Sequence, residues 1–81
     1  MLEAIFDSQY AQRNELVLQI AEAVKSWRMS ALNYEKVLSQ WHLETDLQEK
    51  QRLWEQLRLC EKIRDGDLAQ VQLLADRYIS D

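Results

Sequence analysis

Few residues of this chain have the type and spacing that reactions need. His42 and Asp46 stand four apart, the interval that sets an imidazole and a carboxylate on one helical face for proton transfer or a shared metal. A metal needs further donors, and the sequence holds no second histidine, no His-Glu-x-x-His and no Glu-x-x-His. The pair therefore reads as a turn histidine near a helix cap. Cys60 is the only cysteine, which excludes an internal disulfide and a cysteine-built zinc site. It shares the apolar side of a helix with Leu53 and Leu57, and Glu61 beside it disfavours a thiolate, so it reads as a small core residue. Without a Gly-rich phosphate loop or a marked carboxylate pair, the expectation is no enzyme: no catalytic residue, no cofactor and no metal.

Charge offers a second kind of chemistry. Lys50, Arg52, Arg58, Lys62 and Arg64 outnumber Glu55 and Glu61 in one segment, and Trp54 lies among them. Such a stretch suits an acidic protein surface, or nucleic acid through residues 50–64, or is a solvated helix face. The chain as a whole carries 14 acidic and 10 basic residues for a net charge of −4, which opposes general binding to a phosphate backbone.

Hydrophobic residues make up 47% of the chain, too many for disorder, while 30% are charged and no apolar run approaches the ~20 residues of a membrane span. Met1 to Ala11 includes Glu3 and Asp7 and lacks the basic start and apolar stretch of a signal peptide. The expected location is the cytoplasm, and the expected organisation is one helical domain over residues 1–81. A domain of this length buries only about 60 to 65% of its unfolded surface, so its stability margin is small.

The elements that position these residues are legible in a long apolar stripe. Phe6, Tyr10, Arg13, Val17, Ile20, Val24, Trp27, Ala31, Tyr34, Leu38 and Trp41 follow one another in alternating steps of four and three, which keeps them on one side of an α-helix. Only Arg13 is polar. Leu16, Ala23 and Val37 flank the stripe on one side and Ala21 on the other, so the apolar strip is wider than a two-stranded zipper requires. Gln12, Gln19, Ser26, Asn33 and Gln40 form a solvated row.

Beyond Trp41 the same phase would present Thr45, Gln48, Arg52 and Glu55, all polar, whereas apolar residues resume at Leu43, Leu47, Leu53, Trp54, Leu57 and Cys60. A turn near residues 43–46 explains the shift, with Thr45 and Gln48, or Asp46 and Glu49, as a capping box. Proline is absent and the one glycine lies in Asp65-Gly66-Asp67, where Gly66 would end a helix and Asp67 would cap the next. The last helix would bury Leu68, Val71, Leu74 or Ala75, and Tyr78.

The expected fold is all-α: a long first helix over about residues 3–42, then shorter helices over about 46–64 and 68–79 that pack back antiparallel as a hairpin or small bundle. A three-helix bundle with the first helix broken at Asn14 or Ser30 is the alternative. The expected function is a noncatalytic protein-interaction module, a small acidic chaperone, adaptor or inhibitor that takes a partner's amphipathic helix on an apolar strip. Leu18, Met29 and Leu32 sit on the first helix away from the stripe, as a contact surface or as part of a tighter core. Trp27 and Trp54 are large enough to anchor a partner, and Arg58 and Lys62 to steer an acidic one. The alternative is a self-assembling homodimer forming a four-helix-like bundle.

Overall fold

In the computed structural model the backbone is described for residues 2–80 and the side chains for residues 11–80. Two helices account for nearly all of it, α1 at Leu2–Leu43 and α2 at Leu47–Ser80, and they pack against each other as an antiparallel hairpin. The stripe positions Phe6 and Tyr10 lie outside the residues whose side chains are described.

The expected turn is present, confined to residues 44–46. Asp46 caps α2: its Oδ1 accepts the Gln48 N–H at 3.1 Å, and its carbonyl accepts the Lys50 N–H at 2.8 Å. Glu44 Oε1 accepts the Thr45 and Asp46 N–H groups, both at 3.1 Å. The free backbone donors of the turn are thereby paired without glycine or proline. Glu49 does not reach back to complete a capping box; its carboxylate pairs with Arg52.

The three-helix layout is not what forms. α2 runs unbroken through Gly66, whose φ is not positive, and Asp67 sits inside the helix where the sequence suggests a cap. The balance of energies explains this. Glycine in a helix interior costs roughly 1 kcal/mol relative to alanine, less than the packing of Val71, Leu74 and Tyr78 that a break would put out of phase. α1 is likewise continuous through Asn14 and Ser30.

The seam also differs by one residue from the stripe in the sequence. On α1 the inner face carries Leu16, Ile20, Ala23, Trp27, Ser30, Tyr34, Val37 and Trp41, all buried or half-buried. Ile20, Trp27, Tyr34 and Trp41 belong to the expected stripe, but Leu16 and Val37 are buried where Val17 and Leu38 are exposed, and Ala23 and Ser30 join the half-buried Val24 and Ala31. On α2 the matching face is Leu53, Leu57, Cys60, Arg64, Asp67, Val71, Leu74 and Tyr78, again in steps of three and four. Val37, Leu57 and Cys60 form the central cluster, with Tyr34 packed on it. Since α2 presents its core every three and four residues, α1 turns toward it the row that fits between those side chains.

Candidate functional site

None of the sequence's reactive candidates gains a partner set. His42 is exposed in the last turn of α1, and Asp46 belongs to the connection, so the two do not share a helix. Cys60 is a buried free thiol, with the Asn33 amide nitrogen 3.4 Å from its sulfur. Among the described residues no group of three or more His, Cys, Asp and Glu is placed to hold a metal.

The basic segment is largely engaged within the chain. Lys50 Nζ stands 4.6 Å from the centre of the Trp41 ring, and the Arg64 guanidinium 4.3 Å from that of Tyr34. Arg64 also donates to Asp65, and Arg52 pairs with Glu49. Arg13, the polar interruption of the stripe, lies 4.8 Å from the Tyr78 ring centre. Cations thus cap three aromatic residues of the seam, Tyr34, Trp41 and Tyr78. Arg58 and Lys62, one helical turn apart, remain exposed on the outer side of α2.

The predicted contact residues separate onto different surfaces. Leu18, Met29 and Leu32 are all exposed, so no tighter core encloses them, and Leu18 borders a groove that Gln70 and Leu74 of α2 also line. Trp27 is half-buried in the seam, and Trp54 is 46% exposed at its edge, its ring 5.5 Å from that of Trp41.

What the sequence does not disclose is how the two remaining apolar rows come together. Beside the seam, α1 carries Val17, Val24, Ala31 and Leu38, and α2 carries Leu47, Trp54, Leu68 and Ala75, with Glu61 as the charged member of the α2 row. The antiparallel pairing places both rows on the same side of the hairpin, where Val17, Ile20, Ala75, Tyr78 and Ile79 line one shallow apolar groove. Val17 is 45% and Leu38 38% exposed there. The opposite side is different in kind. Its outer rows are mostly polar, Gln12, Gln19, Ser26 and Asn33 on α1 and Gln56, Gln70 and Arg77 on α2, with Ile63 exposed among them. Gln12, Gln19 and Arg77 line one groove there, and Gln19, Ser26 and Gln70 line another together with Leu18, Ala23 and Leu74. The hairpin has one apolar flank and one glutamine-rich flank.

Its shape agrees with an incomplete core. The Cα extents are 69 × 15 × 13 Å and the radius of gyration is 19.1 Å, against about 12 Å for a compact domain of this length. The accessible surface of 6873 Å² exceeds the roughly 5,100 Å² of a compact monomer of this mass. Among the described residues no side chain is completely buried.

No protein-family model matches the chain, and neither a curated protein nor a solved structure does.

Proposed function

We propose that this chain is a noncatalytic protein-interaction module, acting in the cytoplasm as a chaperone, adaptor or inhibitor does, by laying helices of another polypeptide against its apolar flank. One observation carries the reading: the apolar rows of both helices lie on the same side of the hairpin and are left half-open there. Two helices bury one face of each other, and a second apolar row calls for a further layer. Burial of Val17, Leu38, Trp54 and Leu68 would supply the affinity, and the charges that border the flank, Arg58 among them, the orientation.

Leu18, Met29 and Leu32 offer a smaller, scattered contact on the back of α1, interrupted by Glu22, Lys25 and Lys36. The flank is the more continuous surface. No helix among the described residues is long and apolar enough to cross a membrane, so lipid does not stand in for the covering helices in a spanning arrangement.

The test compares three forms of the protein for capture of a partner from native lysate, with helicity checked by circular dichroism. The wild type and a Gln19→Glu/Gln56→Glu variant on the polar flank should retain the same partner, while Val24→Glu/Leu38→Glu should lose it and stay helical. Equal capture by all three would refute the reading.

A further inference from the structure

The flank needs a cover whose charges match its borders, and those borders are built to match each other. On the outer edge of the flank α1 presents Arg28 and Glu35, and α2 presents Arg58 and Asp65, all exposed. Across the core, Asn33 against Cys60 and Val37 against Leu57 set the hairpin register, which brings Arg28 within about one residue of the height of Asp65 and Glu35 within about one residue of that of Arg58. Within one chain these charges lie on opposite edges, separated by the width of two helices.

Resting on the reading of the flank as a docking surface, we propose that its occupant is a second copy of this chain, stacked flank to flank about a two-fold axis parallel to the helices. That operation lays α1 of one copy over α2 of the other. Each edge then meets its complement, Arg28 against the partner's Asp65 and Glu35 against the partner's Arg58. The same stacking resolves the one charge inside the flank. By the core register Glu61 lies one to two residues from the height of Ala31, the nearest member of the α1 row, so it faces the small Ala31 of the partner subunit, with Arg28 of the partner subunit one turn further on. Turning the second copy end over end with the flanks fully overlapped would also pair opposite charges at the edges, but it would set Glu61 against the partner's Glu61, which like-charge repulsion disfavours. Only the lengthwise two-fold satisfies edges and interior together.

The area is sufficient for a dimer. From Val17 to Thr45 the flank runs roughly 40 Å at the helical rise, and a width of about 15 Å gives on the order of 600 Å² per chain, about 1,200 Å² for a pair, where stable interfaces begin. Two such hairpins make a four-helix bundle with the half-open rows at its centre.

Sedimentation equilibrium over a range of concentrations tests the proposal. The wild type should show twice the 9.7 kDa of one chain. Leu38→Glu should weaken the dimer about 100-fold with helicity retained, because a charge would be buried between the copies. Glu35→Arg and Arg58→Glu, at exposed positions, should each weaken it about 3- to 10-fold, and the two together should restore it. A monomer at every concentration, or a dimer indifferent to Leu38→Glu and to the charge exchange, would overturn the proposal. If a monomer still captures another protein through the flank, only the identity of the occupant is wrong; if capture also ignores the flank variants, the interaction reading falls with it.

Discussion

The Ser30 hydroxyl of α1 donates to the Asp67 carboxylate of α2 across the middle of the seam, tying together residues 37 positions apart. The Ser26 carbonyl, 3.0 Å from the same oxygen, competes for its single proton, and the charged carboxylate is the stronger acceptor. A polar pair at two seam positions is satisfied in one alignment of the helices and left unpaired in a slipped one. It therefore fixes the register on which both the apolar flank and its charged edges depend.

A double-mutant cycle on Ser30→Ala and Asp67→Ala should give a coupling of about 1 to 2 kcal/mol in urea denaturation, as expected for a half-buried bond to a charged acceptor. Additive losses would show that the bond does not hold the register.

Replacing Gly66 by alanine should stabilise the protein by about 0.5 to 1 kcal/mol, since φ is ordinary there and an added Cβ would meet nothing within 4 Å. Thermal unfolding reads the sign. A loss of stability would mean that α2 breaks at Gly66 in solution.

Leu57→Ala, in the central cluster with Val37 and Cys60, should cost about 2 to 4 kcal/mol, whereas Leu32→Ala, 61% exposed behind α1, should change stability by less than about 0.5 kcal/mol. Chemical denaturation of the two variants side by side measures the contrast. Equal losses would place Leu32 in a core that the hairpin lacks.

Hydrogen bonding from the Arg52 guanidinium holds the Glu49 carboxyl below the usual glutamate range, and the carboxylate raises Arg52 in turn. Lowering of the folded-state pKa means that the pair helps the folded state above the ordinary glutamate range, and that this help disappears as pH falls through the lowered value of Glu49. An NMR titration should find the Glu49 midpoint below that of a free glutamate side chain, and Arg52→Ala should return it. The pair is exposed, so the melting temperature at neutral pH should not move measurably.

Much of this arrangement is readable from the residues alone. The four–three spacing from Ile20 to Trp41 identifies a long helix, and the loss of phase after Trp41 locates the turn within a residue or two. Two features mislead. Arg64 and Asp67 continue the three–four spacing from Leu53, Leu57 and Cys60 to Val71, Leu74 and Tyr78, but a pattern that counts only apolar residues sees a gap there, and Gly66 inside the gap looks like an ending. The choice between the Leu16–Val37 row and the Val17–Leu38 row is not local, because both are apolar and only the partner helix decides which turns inward. The one-sided flank follows from that choice and from antiparallel pairing together, so no single stretch of sequence contains it.

With the apolar flank serving as an interface, the Leu38 side of the hairpin is covered and the Gln40 side is wet. Thiol-modification rates of Leu38→Cys and Gln40→Cys, measured at a concentration above dimer dissociation, compare the two, the native Cys60 being buried and slow. The thiol introduced at position 38 should react at least about tenfold more slowly than the one at position 40, and dilution should remove the difference as the covering layer leaves. Equal, fast rates at both positions at every concentration would contradict the account.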